Sequence, residues 1–359
     1  MPLQRAFISV SLLSMFLTAC GGSSSDEQSE NQNSDQPVPL LSANFVPLSD
    51  EFGVPNAQFA DDIKYGDDER QRFDFYKPAS DQPTGLVIYI HGGGFRGGHE
   101  SKVESKFGDT LPELLRQGYA IASTTYRVID GSHDEGVIRS LQDSTYALQF
   151  MRYHAENLNI DSNNIILSGG SAGASTSLWI GLQPDMANPD AEDPVERQST
   201  QVKAIAIENT QSTLDIQRWQ EDETIFAEFN LSNEEAVALG GGASRALDFY
   251  GVEASTDNLA DPIASWQTPE IIAYRQSVDM LDFFSSDDPE LFVNNPGSTA
   301  SPTDGGNYLH HAWHGRALHL AAEAASVPGK FYYGPESNRA FASEPLESFS
   351  EFLFRKLAE

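Results

Sequence analysis

A single cysteine, Cys20, occurs in the 359 residues, so no internal disulfide can form and the fold must hold by packing. Basic residues are also scarce: 22 Lys and Arg stand against 53 Asp and Glu, for a net charge of -31. A surface of that sign repels phosphate backbones, which excludes DNA and RNA as partners. The acids run through the whole chain, which reads as a solvated acidic surface and not as an acidic tail. No internal repeats are visible. The apolar stretch 6–19 is too short and too early to be a membrane span. No histidine follows His319, an absence that bears on the chemistry considered below.

The first residues read as a secretory signal. Arg5 precedes the apolar stretch, which ends Leu17-Thr18-Ala19-Cys20 and runs into Gly21-Gly22. This ending resembles a bacterial lipobox. The resemblance implies that residues 1–19 are a lipoprotein signal peptide and that Cys20 is the lipidation site, carrying acyl chains such as palmitate. Several chains anchor stably where one binds only marginally. The expected location is the bacterial cell envelope, lipid-anchored and facing the outer membrane or periplasm, with the membrane met through the anchor only. Residues 20–45 are Ser, Asn, Gln, Asp and Glu with almost no apolar content, the composition of a flexible tether.

Residues 46–359 carry the folded domain, and a hydrophobic fraction of 39% supplies a sizeable core. From about Asp67, short apolar runs alternate with amphipathic ones. Strands are predicted at 72–76, 86–90, 120–125, 164–167, 202–207, 291–293 and 330–333. Helices are predicted at 135–157, 308–325 and 347–357. That alternation means α/β: a mostly parallel central sheet with helices on both faces. The stretch from about 210 to 287 is longer than one crossover needs and is predicted to form a helical cap insertion over the site.

Gly169-Gly170-Ser171-Ala172-Gly173 fits Gly-x-Ser-x-Gly, with an apolar strand before it and a helical run after it. A sharp strand-to-helix turn lifts a serine hydroxyl above the sheet, near the positive end of the helix. His91-Gly92-Gly93-Gly94-Phe95 directly follows the strand 86–90. Glycines there let the backbone approach an acyl carbon and aim N–H groups at one point. Gly93, Gly94 and Ala172 are the candidate oxyanion donors, and His91 reads as a residue bracing the loop. A phosphate cradle would want a Lys or Ser/Thr and a helix start shortly afterwards, and neither follows.

Both motifs, in this order, resemble the carboxylesterase branch of the α/β-hydrolase superfamily, with the hormone-sensitive-lipase-like and acetyl- and feruloyl-esterase-like enzymes nearest. Thr125-Tyr126-Arg127 and Asp143 also look like landmarks of that group. The resemblance covers residues ~67–359. It implies the α/β-hydrolase fold and hydrolysis of carboxylic esters through an acyl-enzyme on Ser171, with no metal and no organic cofactor. The expected substrates are small-molecule or polysaccharide esters, carrying short acyl, acetyl or feruloyl groups.

The chain departs from that pattern at the proton relay. The order in this fold is Ser, then acid, then His, with the His in the loop after the last strand. Here that loop reads Gly334-Pro335-Glu336-Ser337-Asn338-Arg339-Ala340-Phe341, and an arginine cannot accept a proton near neutral pH. The remaining candidate bases are His310 and His311, with His314 and His319 further along the predicted helix. Asp304 is the candidate orienting acid, and Asp287 and Asp288 lie before the preceding strand. His310 and His314 are four apart, but no third ligand accompanies them, so a metal is not expected. Three readings remain open from sequence: an esterase with a rearranged relay, a degenerate hydrolase that binds a ligand or partner in the old pocket, or a slow acyl-enzyme former that keeps the serine turn and oxyanion loop without a base.

Overall fold

The computed structural model describes residues 40–100 and 102–359. Cys20, residues 1–19 and the tether as far as residue 39 lie outside the described residues. Ten strands form one sheet: β1 (Val46–Pro47), β2 (Gln58–Lys64), β3 (Arg72–Lys77), β4 (Thr84–Ile90), β5 (Ala120–Thr124), β6 (Ile160–Gly170), β7 (Ala204–Glu208), β8 (Glu290–Asn295), β9 (Gly329–Tyr333) and β10 (Phe341–Ala342). Their order is β1-β2-β3-β5-β4-β6-β7-β8-β9-β10. The six strands from β5 to β9 in that order pair in parallel, and the outer pairings are antiparallel. This is the α/β-hydrolase fold expected from the alternation of runs.

Strand β4 shows why the centre is parallel. All seven of its residues are buried, as a strand covered on both faces requires. Leu86, Ile88 and Ile90 join the larger core, while Val87 and Tyr89 join the core on the opposite face. Alternation along one strand thus feeds two hydrophobic layers.

The helices that matter here are α1 (Thr110–Arg116), α2 (Ile138–Tyr153), α3 (Ala172–Gly181), α4 (Asn233–Leu239), α5 (Ala243–Phe249), α6 (Pro269–Ser277), α7 (Gly305–Leu309), α8 (Ala312–Ala325) and α9 (Phe349–Ala358). Leu141, Leu148 and Met151 of α2, Leu178 of α3 and Leu318 of α8 pack on the larger core. Leu111 of α1 and Phe352 and Leu357 of α9 pack on the other. Ser348 opens α9 with a capping box to Glu351, which satisfies two orphan backbone donors. The chain between β7 and β8 runs from 209 to 289 and carries α4, α5 and α6.

All seven predicted strands are present with shifted ends. Sequence reading missed β1, β2 and β10. In β2, Asp61 and Asp62 both face solvent and the register shifts between Ala60 and Ile63, so period-two alternation is broken there. The single helix predicted over 308–325 is in fact two, separated at His310 and His311.

Asp143 fastens the sheet to α2. It is buried and accepts from the backbone N of Arg127 at 2.9 Å, the Arg127 guanidinium at 2.6 Å and Gln71 Nε2 at 2.9 Å. The Arg127 guanidinium is held above its ordinary pKa by these bonds. Breaking a buried pair by removing one partner costs about 3–5 kcal/mol, less here because Arg127 keeps some contact with water. Asp143→Ala should therefore lower the unfolding free energy by about 2–3 kcal/mol in a urea titration. An unchanged midpoint would remove this pair from the framework.

Candidate active site

Ser171 sits between β6 and α3 with φ 56° and ψ -123°, a conformation that side chains other than glycine rarely adopt. Close approach enforces the turn. A Cβ on Gly173 would lie 1.9 Å from the carbonyl oxygen of Ile90, and one on Gly169 would lie 2.4 Å from the carbonyl carbon of Gly173. The two outer glycines of the motif are thus needed for space: α3 starts directly against β4 and β6. The backbone N of Ser171 donates to the carbonyl of Glu208 at 3.1 Å, which ties the turn to β7.

The loop after β4 rests on this turn. Gly92 lies so near that an added Cβ would come within 2.5 Å of the Gly170 carbonyl oxygen. Gly93 and Gly94 have φ of 140° and 61°. Among the described residues, the N–H groups of Gly93, Gly94 and Ala172 meet no acceptor in the protein. Three unspent donors beside a serine form an arrangement suited to a developing oxyanion. His91 is fully buried. Its Nε2 meets Thr125 Oγ1 at 2.9 Å, its ring stacks on Tyr126, and Tyr126 Oη donates to its carbonyl at 2.9 Å. It braces the loop, as its sequence position suggested.

The serine has a histidine. Ser171 Oγ and His310 Nε2 are 2.8 Å apart. His310 is the residue between α7 and α8, in a non-helical conformation of φ -120° and ψ 31°. Four contacts fix this break. His311 caps α8, its Nδ1 accepting from the N of Trp313 at 3.1 Å. The N of Ala312 donates to the carbonyl of Ser298, and Gly297 passes so close that a Cβ there would lie 2.0 Å from the His310 carbonyl oxygen. Gln211 donates from Nε2 to the carbonyl of Leu309 at 2.7 Å while its Oε1 accepts from Ser175 Oγ on α3. The histidine is therefore tied back to the serine's own helix. Burial, and then the charge of Lys106, holds the His310 pKa below the usual histidine value.

A model of the BD-FAE family matches residues 73–258, more than half of the chain. The chain belongs to the BD-FAE family. Gut esterase 1 of Caenorhabditis elegans is 28% identical over 134 residues, which are 36% of this chain and 23% of that protein. The matched region thus spans about a quarter of that relative. A truncated carbohydrate esterase from gut microbiota is structurally similar at a TM-score of 0.59 and 15% identity, over 87% of this chain and 99% of that one. An esterase of Thermogutta terrifontis, Est2, gives 0.50 and 17% identity, over 78% and 81%. At such identities the likeness is one of fold.

In this BD-FAE chain the other sequence candidates occupy different posts. Asp304 does not meet His310. It is exposed and caps α7, its Oδ1 accepting from the N of Asn307 at 2.8 Å. As the orienting acid it is therefore corrected: the carboxylate is spent on a helix end. His311 is corrected as a base, because its Nε2 pairs with the Ala300 carbonyl and its Nδ1 holds the α8 cap. Asp287 and Asp288 serve a turn around Ser285. His314 is fully buried, bonds Ser212 and the Tyr308 carbonyl, and is pushed down to about 3 by burial. Both of its ring nitrogens are engaged by these partners. Where the resemblance puts a terminal-loop histidine, Arg339 donates to Asn294 Oδ1 at 2.8 Å, and Asn294 donates to Glu208 Oε1 at 2.9 Å. Elsewhere, Asp62, Asp74 and Glu100 bring carboxylate oxygens within 4.8 Å of one another. The Arg72 guanidinium already bridges Asp62 and Glu100, so a cation would meet a resident positive charge.

Beside Ser171 lies a mainly apolar pocket, walled partly by Leu214, Ile216, Trp219 and Phe249 from the long connection between β7 and β8. Sequence reading missed Gly297 and Gln211. Their signal lay only in close approach and in side-chain bonding, which a one-dimensional pattern does not carry. Gly297→Ala should displace His310 and slow labelling of Ser171 by a fluorophosphonate at least tenfold, with a native far-UV spectrum. Labelling at the native rate would show that the break does not depend on this contact.

Proposed function

We propose that this protein is a serine hydrolase of carboxylic esters. Ser171 Oγ attacks the ester carbonyl and its proton passes to His310 Nε2. The carbonyl oxygen, now negative, accepts from the N–H groups of Gly93, Gly94 and Ala172, each such donor being worth ~2.7–4 kcal/mol in the transition state. As the C–O bond breaks, the leaving alcohol takes the proton from His310. Water then repeats the attack on the acyl-enzyme, giving a proton to His310 and releasing the acid with Ser171 restored. The observation that carries this reading is the 2.8 Å hydrogen bond between Ser171 and His310 beside three unspent N–H donors.

The relay is short. His310 Nδ1 meets no carboxylate among the described residues, and Asp304 stands elsewhere. The ring's burial favours the neutral, proton-accepting form without such help. Carbohydrate esters bearing acetyl or feruloyl groups are the substrates proposed, in line with a similar fold in a carbohydrate esterase from gut microbiota. The long connection 209–289 is proposed as the cap over the site. Cys20, the sole cysteine, is proposed as a lipidated anchor in a bacterial envelope, with residues 1–19 as its signal and 20–45 as a tether.

Three measurements test this. Turnover of 4-nitrophenyl acetate should fall by ~10³-fold or more in both Ser171→Ala and His310→Ala, and His311→Ala should retain far more. No turnover in the native protein, with no fluorophosphonate label on Ser171, would instead favour a ligand-binding module. The base must be neutral, and burial holds its pKa below the ordinary histidine value, so the acid limb of kcat/KM should fall on the acid side of that value. A limb at or above that value would assign the titration to another group. Finally, Cys20→Ser should move the expressed protein from the membrane fraction to the soluble one. Unchanged partitioning would overturn the anchor.

A further inference from the structure

Arg245 of α5 lines the pocket beside Ser171. Its side chain crosses from the long connection to the oxyanion loop through a slot between two glycines. A Cβ on Gly241 would lie 2.7 Å from its Cδ, and a Cβ on Gly94 would lie 2.6 Å from its Nη2. Both glycines have positive φ, 102° and 61°, so backbone and space together reserve the slot for this side chain.

The charge of Arg245 is unanswered. The chain holds 53 acids for 22 bases, yet no acidic side chain pairs with Arg245 among the described residues. The nearby acid, Asp248, is taken by Arg96 at 2.8 Å. Arg245 is half-buried, and burial together with the Arg96 charge works against its protonated form. A second donor on the same pocket is also unspent: Trp266 is 2% exposed and its indole Nε1 has no acceptor. Buried donors without partners are uncommon and are satisfied when a ligand brings an acceptor. Much of the remaining wall is apolar, including Leu214, Ile216 and Phe249.

We propose that Arg245 receives a carboxylate carried by the ester substrate, so that this pocket takes acidic esters. A carboxylate offers two acceptor oxygens to the planar guanidinium fork. Gly94 is also a proposed oxyanion donor, so the carboxylate stands only a few bonds from the scissile carbonyl. The group belongs either to the acyl part, as in the half-ester of a dicarboxylic acid, or to the alcohol part, as in an acetylated sugar acid. This inference rests on the reading of Ser171 as the nucleophile.

The test compares kcat/KM for matched anionic and neutral esters. The acyl arm sets mono-4-nitrophenyl glutarate against 4-nitrophenyl butyrate. The alcohol arm sets O-acetyl galacturonate against O-acetyl galactose, followed by acetate release. The native protein should prefer the anion at least tenfold in one arm. Arg245→Gln should lower that ratio at least tenfold, mainly through KM, and Arg245→Lys should restore part of it. No anionic preference in either arm, or a ratio that Arg245→Gln leaves unchanged, overturns the proposal. Should the native protein hydrolyse none of the four, the nucleophile reading fails separately. Calorimetric titration of monomethyl glutarate into Ser171→Ala still decides the recognition step. Binding that Arg245→Gln weakens tenfold supports it, and equal binding overturns it.

Discussion

The contact on which the site depends is that of α3 with β4. Gly173 packs where a Cβ would stand 1.9 Å from the Ile90 carbonyl oxygen, and this forces the chain to leave β6 through the positive φ of Ser171. Strain at one residue is tolerated because its surroundings over-determine it. The sheet supplies them. Parallel pairing of β4 with β6 brings the ends of both strands to the same edge, so the glycine loop after one meets the serine turn after the other. Asp143, Arg127, Tyr126 and His91 then link in sequence to hold that loop from behind.

The histidine paired with Ser171 reaches the same edge by another route. The resemblance led to a histidine after the last strand. Here that loop carries Arg339, whose guanidinium closes a chain through Asn294 to Glu208. The imidazole comes instead from a helix interrupted one element earlier. Two anchors hold the interruption from different sides, Gly297 by space and Gln211 by a hydrogen bond. Because Gln211 also accepts from Ser175, displacement of α3 would move His310 with it.

Much of this was legible in the sequence. The central strands are continuous apolar runs, and the two glycine motifs have strand and helix on the correct sides, so the fold, Ser171 and the loop could be read in one dimension. His310 was among several histidines, and nothing in the spacing separated it from His311. The distinction arises because His311 is consumed by capping α8 and by Ala300. Asp304 misled for a related reason: an acid just before a short helix serves equally well as a cap. The helical pattern through 308–325 concealed the break, since apolar periodicity does not register two residues that leave the helix and re-enter it. Arg245 gave no signal at all, because a slot between two glycines exists only after folding.

The preponderance of acid on this chain has a kinetic meaning. A net charge of -31 sets a repulsive field around the molecule, felt by any anion over a Debye length of roughly 8–10 Å at moderate salt. A neutral ester crosses that zone at the ordinary diffusional rate, whereas an acidic one is slowed before it reaches the pocket mouth. Dissolved salt lowers this outer barrier first, because exposed charges are screened more than half-buried ones. For an acidic ester held by Arg245 as proposed, encounter and retention thus respond oppositely to ionic strength, and the salt content of the medium sets how the enzyme divides its time between charged and uncharged molecules.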